Sequence, residues 1–477
     1  MTKVIREGKT MDRIGLYYKN ATADAVGDKH GVTDKELKAL APRIKELTRQ
    51  FNDERKAGKK KYRDLPFDDE MSDAVKKQVE HFRDRCDVLI VLGIGGSALG
   101  NIALHNALNP YTYNLMTDRN RNGPILFVLD NVDPDVIKSV VDLIGPKLKK
   151  TIVNVVSKSG ETAETAGQFI LFRDILKAKL GKNYKDNILA TTDANEGTLR
   201  KIVLEEGYRT LEVPDGVGGR FSVMSAVGLF SAAMCGIDTD AVLAGAAAMD
   251  KRVKEPDLFN NPAAMLGAVH YILNGKNKPM SVMMPYSTSL YSLADWFRQL
   301  WAESLGKKVN LAGKTVYAGQ TPIKALGATD QHSQVQLYRE GPNDKIITFL
   351  EVERFANRVA IPESMKHIDT LSYLAGSNFQ TLLNSEKLGT EYALLESQRP
   401  TMTVTFPQIT PETVGQFLYM YETAVSYMGA LLDINTYDQP AVQLGKDATY
   451  ALMGKKGYEE LGKKIQGVAK RDKKFVI

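Results

Sequence analysis

The sequence predicts an α/β protein with two parallel-sheet domains, the second smaller, framed by helical N- and C-terminal extensions. Short apolar strands recur, each followed by a loop and a helical pattern, which is the rhythm of a parallel sheet. At 477 residues the chain exceeds the size at which a single core keeps growing, so more than one domain is expected. Twice an apolar strand runs into a Gly- or Ser-rich loop and then a helix, in "VLGIGGSALG" and "MMPYSTSLYSLADWF", a hint of duplication without a residue-level repeat. The expected boundaries are a helical N-terminal extension over 1–80, a first domain over 81–240, linker helices and a second domain over 241–411, and a helical region over 412–477.

In the N-terminal extension, "DKELKALAPRIKELTRQF" sets Leu37, Leu40, Ile44 and Leu47 on one helical face. From Asp87 five strands follow: "DVLIVLG", "PILFVLD", "TIVNVVS", "NILATTD" and "YRTLEVP". Continuous apolar runs of this length suit strands covered on both faces. Residues 236–275 are alanine-rich and helical, and "PMSVMMPYS", "KTVYAGQ", "KIITFLEV" and "PTMTVTFP" form a second strand series. The helical C-terminal region is interrupted by "DINTYDQPAVQLGK", a Pro- and Asn-bearing loop of the sort that carries function.

Composition narrows the function classes. Hydrophobic residues make up 43% and charged residues 25%, the usual globular mix. The net charge of +6 suits an anionic ligand without identifying one. Basic runs such as "KAGKKKYRD" and "KRDKKF" lack interleaved aromatics or a reading motif, so they read as solvated surface and no nucleic-acid partner is expected. Cys86 and Cys235 are too few for a disulfide framework or a structural zinc site, which fits a reducing cytoplasm. The N-terminus has no apolar core of signal-peptide type, and "VMSAVGLFSAAMCGI" is shorter than a membrane span needs; no membrane association is expected.

Two loops have the makings of an anion site. In "VLGIGGSALGNIALHNAL" the strand ends in Gly93, Gly95 and Gly96, and a helix starts near Ser97, so unpaired N–H groups and the positive end of the helix dipole face whatever lies above the turn. A plain tight turn would use the same glycines. Gly93, Gly95 and Ala98 also satisfy G-x-G-x-x-A, but the next strand ends at Asp130, 37 residues beyond Gly93, far past the ~20 expected for a ribose-binding acid. In "TIVNVVSKSGETAETAGQF" a strand, turn and helix cluster Ser157, Ser159, Thr162 and Thr165 where backbone donors are exposed, with Lys158 adding charge. Hydroxyl and amide donors hold a phosphate without a deep well of fixed cations, which suits a ligand that must leave. Helix capping alone is the competing explanation of such residues.

With both loops placed, "LGIGGSALG", "SKSGETAET", "GVGGRFSVMSAVGL", "WAESLGK", "DQHSQVQLY" and "DQPAVQLGK" resemble, in order, the sequence blocks of the phosphoglucose isomerase family. The resemblance implies two SIS (flavodoxin-like) domains, a homodimer with shared active sites, and interconversion of glucose 6-phosphate and fructose 6-phosphate in glycolysis and gluconeogenesis, with no metal or organic cofactor. It implies that Ser157, Ser159 and Thr162 hold the phosphate with Lys158 nearby, and that Gly96 and Ser97 line the sugar site. Glu164 takes the position of a carboxylate near the sugar and Gln439 that of a ligand-contacting glutamine. Arg220 matches the arginine facing the reacting carbons, Glu303 the catalytic base, and His332 with Lys446 the ring-opening pair. Ala441 and Gln443 depart from the family's usual Gly and Glu, and "KALGATDQH" lacks the Glu that long members carry there, so the base assignment rests on "WAESLGK".

The chemistry asks for such residue types. Moving a proton between adjacent carbons through an enediol needs one carboxylate able to accept and return it. On residue pattern alone a Glu in "QLWAESLGKK" reads first as an exposed helix-end residue, and His332 and Lys446 as surface groups; the resemblance reverses that order. An arginine supplies charge beside an enediolate without giving up a proton. A histidine suits proton exchange during ring opening near neutral pH. A sugar-phosphate-binding module without catalysis would keep both loops but have no use for Arg220, Glu303, His332 and Lys446 together. A nicotinamide-dependent dehydrogenase is disfavoured by the acid spacing.

Overall fold

The computed structural model describes residues 11–477. The chain divides into a large unit that ends at Thr436 and a small one, Tyr437–Ile477. The large unit holds strands β1 (Gly15–Tyr17), β2 (Val88–Leu92), β3 (Ile125–Leu129), β4 (Thr151–Val156), β5 (Ile188–Thr192), β6 (Arg209–Glu212), β7 (Met280–Pro285), β8 (Lys307–Val309), β9 (Thr315–Ala318), β10 (Thr321–Lys324), β11 (Lys345–Val352) and β12 (Thr401–Phe406).

The first sheet is parallel throughout, in the order β3-β2-β4-β5-β6. All five residues of β2, all six of β4 and all five of β5 are buried, which is why they read as unbroken apolar runs. Val88, Ile90 and Leu92 pack with Val153, Val155, Phe169, Phe172 and Leu176 in one core. Parallel neighbours require crossovers, and helices Gly96–Leu108, Pro134–Ile144, Ala163–Leu180 and Thr198–Glu206 provide them. The chain runs outward from β2 to β3, then returns to the other side of β2 to lay down β4. Strand order therefore reverses between β2 and β4, and in open α/β sheets the crevice beyond the carboxyl ends at such a switch point is where ligands bind. Leu92 pairs with Val155, so the loops that follow β2 and β4 stand side by side at that crevice.

The second sheet has the order β1-β12-β11-β7-β10, with β7, β10, β11 and β12 parallel and β1 antiparallel to β12. It differs from the sequence reading at both edges. The N-terminal lead-in is not wholly helical, since β1 closes one edge. The other edge is β10, "TPIK", whose Pro322 disguised it; proline is tolerated there because an edge strand has a row of N–H groups with nothing to bond. "KTVYAGQ" lies outside this sheet: it forms β9, paired antiparallel with β8 in a two-stranded ribbon. Helix Pro411–Leu431 is buried along most of its length and leads through a short turn to Thr436. Among the described residues no helix is long and apolar enough to cross a membrane.

Candidate active site

The glycine turn after β2 fits against a second turn by direct backbone contact. A Cβ on Gly96 would lie 2.2 Å from the carbonyl carbon and oxygen of Gly219 and 2.7 Å from the nitrogen of Arg220. Nothing larger than glycine leaves room for the 3-10 turn Gly219–Phe221 that carries Arg220. Ser97 is half-buried in the first turn of helix Gly96–Leu108.

Arg220 is 3% exposed, and its planar fork is held on three sides. Nε donates to Ser304 Oγ at 2.7 Å, Nη2 to the Thr436 carbonyl at 2.7 Å, and Nη1 to Glu303 Oε2 at 3.2 Å. Glu303 and Ser304 lie in the last turn of helix Tyr291–Leu305, where Lys307 Nζ donates to the carbonyls of both and offsets the negative helix end. The Glu303 side chain is 32% exposed, so the ion pair is only partly desolvated. Its Oε1 accepts from Gln299 Nε2 at 3.1 Å.

Gln299 is a site residue that the sequence reading missed. Its Nε2 stands 2.9 Å from where a Gly95 Cβ would be, so it bridges the glycine turn and Glu303. Its buried Oε1 has no hydrogen-bond partner among the described residues. The signal was present: Gln299 precedes Glu303 by four residues, the spacing that stacks side chains on one helix face.

The loop after β4 folds on its own hydroxyls. Ser157 is 5% exposed and its Oγ accepts from the Gly160 N–H at 3.0 Å, while Ser159 Oγ accepts from the Glu161 N–H at 3.2 Å. Thr162 occupies the N-cap position of helix Ala163–Leu180 yet makes no side-chain capping bond. Capping therefore does not account for this hydroxyl, which leaves it and the helix-start N–H groups for an incoming acceptor. Glu164 is half-buried in the first turn of the same helix. Lys158 Nζ lies 3.4 Å from Asp215 Oδ1 and 3.9 Å from Asp193 Oδ2. Asp215 opens the segment that leads to Arg220, so the hydroxyl loop and the arginine turn are tied by an ion pair as well as by the sheet.

No hydrogen bond or ion pair ties His332 to this group among the described residues. It ends the 3-10 turn Thr329–His332 beyond β10 and is exposed. The turn itself is held firmly: Tyr286 Oη donates to Gln331 Oε1 at 2.6 Å, Gln331 Nε2 donates to Glu386 Oε2 at 2.7 Å, and the Leu326 N–H donates to Asp330 Oδ2 at 2.7 Å. Gln439 and Lys446 belong to the small unit, Lys446 on helix Gln443–Leu452. There Gln443 Nε2 donates to Asp447 Oδ1 at 2.9 Å, and Ala441 sits in the turn Pro440–Val442.

The arrangement is suited to proton transfer beside a developing negative charge: a partly exposed carboxylate, a buried cation touching it, and a donor-rich loop one strand away for an anionic tail. A family model described as phosphoglucose isomerase matches residues 80–461, most of the chain. The chain belongs to the phosphoglucose isomerase family. It is 46% identical over 403 residues to a glucose-6-phosphate isomerase from Carboxydothermus hydrogenoformans, covering 84% of this chain and 86% of that one. It is 40% identical over 431 residues to another from Rubrobacter xylanophilus, covering 90% and 96%. Among solved structures, a hypothetical protein from Thermus thermophilus aligns with a TM-score of 0.81 at 33% identity, over 92% of this chain and 100% of that one. A glucose-6-phosphate isomerase from Chlamydia trachomatis aligns with a TM-score of 0.72 at 24% identity, over 84% and 77%, and shares the fold of this phosphoglucose isomerase family member.

Proposed function

We propose that this protein interconverts glucose 6-phosphate and fructose 6-phosphate by proton transfer through an enediol. The observation that carries the reading is the Arg220–Glu303 pair, 3.2 Å apart at the switch point of the first sheet, beside the hydroxyl-rich loop. In this reading Ser157, Ser159 and Thr162 hold the phosphate with Lys158 near it, and Gly96, Ser97, Glu164 and Gln439 contact the sugar. His332 and Lys446 open the ring, one giving a proton to the ring oxygen and the other drawing on the hydroxyl. Glu303 then takes the proton from C2 of the open aldose and returns it to C1. The charge that gathers on the oxygens between these steps lies beside a guanidinium that keeps its proton throughout.

The interconversion is redox-neutral, so the reading requires no hydride carrier. It also takes the working form to be a cytoplasmic homodimer with shared active sites. The deciding experiment supplies fructose 6-phosphate and follows glucose 6-phosphate through a dehydrogenase that reduces NADP, with and without chelator. Sustained turnover in both conditions is expected. Absence of product from folded protein overturns the assignment.

A further inference from the structure

Asp215 lies between two lysines that come from distant parts of the chain. Oδ1 faces Lys158 Nζ at 3.4 Å and Oδ2 faces Lys61 Nζ at 3.5 Å. Lys158 belongs to the hydroxyl-rich loop, whereas Lys61 begins the 3-10 segment Lys61–Phe67. The Lys61 stem lies along Gly216, where an added Cβ would come within 2.9 Å of Lys61 Cδ. Its neighbour Tyr62 is 3% exposed, packs its ring 4.9 Å from that of Phe221, and shares a 2.9 Å hydrogen bond with Ser426. Lys61 is thus anchored through the same turn that carries Arg220. The other carboxylate near Lys158, Asp193, is already committed: its Oδ1 accepts the N–H groups of Asn195 and Glu196 at 3.0 and 3.2 Å.

We propose that Lys61 is a positioning residue for phosphate binding, which keeps Asp215 paired when Lys158 turns from Asp215 to the substrate's phosphate. The inference rests on the sugar-phosphate reading of the loop at 157–162. A phosphate dianion arriving there meets Asp215 as a like charge and competes with it for Lys158. Lys61 cancels much of that repulsion because it holds the opposite oxygen of the same carboxylate. Asp215 then limits how tightly phosphate is held, and Lys61 sets that limit.

A double-mutant cycle tests this on the full chain. All three side chains are at least 44% exposed, so the variants retain the fold. Inorganic phosphate affinity is measured by calorimetry at low ionic strength, alongside KM and kcat for fructose 6-phosphate. Asp215→Asn is expected to lower the phosphate Kd roughly threefold and Lys61→Met to raise it roughly threefold, the scale of exposed ion pairs. In the Asp215→Asn background, Lys61→Met is expected to change Kd by less than about 1.5-fold, and in every variant the kinetic change falls on KM rather than kcat. An equal effect of Lys61→Met in both backgrounds, or weaker phosphate binding by Asp215→Asn, overturns the proposal. Wild-type turnover with no coupling in the cycle sinks this inference alone. Coupling in phosphate affinity without turnover upholds it and sinks the isomerase reading. A wild-type chain that binds no phosphate sinks the inference and the phosphate reading of the loop together.

Discussion

Arg220→Lys is the substitution whose consequence can be worked out most fully. The guanidinium sends three N–H groups in three directions, to Ser304 Oγ, the Thr436 carbonyl and Glu303 Oε2, at 2.7, 2.7 and 3.2 Å. Ser304 is 0% exposed and Thr436 4%, so water does not readily replace a lost donor. A lysine has one nitrogen at the end of a flexible stem and cannot span all three acceptors, so at least one of the bonds goes. Bonds to charged groups contribute about 1.5–3 kcal/mol each. If the nitrogen stays with the buried acceptors, Glu303 loses its cation; if it follows Glu303, two buried oxygens are orphaned and the turn shifts. Either way about 2.7 kcal/mol or more of transition-state stabilisation is lost, a hundredfold or greater fall in kcat/KM. The coupled assay reads the rate, and a thermal melt on the same samples reads the fold. A kcat/KM within about tenfold of the parent, with an unchanged melt, refutes the argument that the planar fork organises the site.

Gly96→Ala is expected to cost about a hundredfold in kcat, because a methyl group 2.2 Å from the Gly219 carbonyl displaces the Arg220 turn by something like an ångström; near-normal rates would mean the two turns separate freely. Glu303→Gln and His332→Gln are each expected to remove most turnover as homodimers. If sites are shared between subunits, refolding equal amounts together should restore about a quarter of wild-type activity, and no recovery from confirmed mixed dimers counts against sharing. His270, 1% exposed against Trp301 and bonded to Gln320, has its pKa pushed by burial from 6.5 down to about 4. Between those values the unfolded chain binds a proton that the folded chain refuses, so stability falls as pH drops through that window, by about 3 kcal/mol in all. Unfolding titrations at pH 7 and pH 4 should show a smaller difference for His270→Gln than for the parent, and parallel losses would exclude His270 as the cause.

The centre of the first sheet was legible because burial on both faces forces β2, β4 and β5 into largely apolar runs, and the two loops because glycines and hydroxyls gather at strand ends. The edges of the second sheet were not. β1 is three residues long with Tyr17 half in solvent, β10 carries a proline, and β9 is an exposed ribbon whose Val316 and Tyr317 look like core in a one-dimensional reading. Within the site, Arg220 and Glu303 are 83 residues apart and no periodicity pairs them; family resemblance named them, and folding brings them to 3.2 Å. Gln299 could have been found from its four-residue offset to Glu303. Asp215 could not, because its two lysines meet it only in three dimensions.

The hold of Arg220 on a main-chain oxygen has a genetic corollary. That acceptor exists whatever residue stands at 436, so replacement of the threonine leaves the anchor in place provided the backbone path survives. The vulnerable position is instead Gly429, where a side chain would begin 2.0 Å from the Thr436 hydroxyl and 3.1 Å from its Cβ, pressing on the residue whose carbonyl holds the guanidinium. Loss-of-function alleles could therefore arise in the long buried helix, at a residue that never meets the sugar.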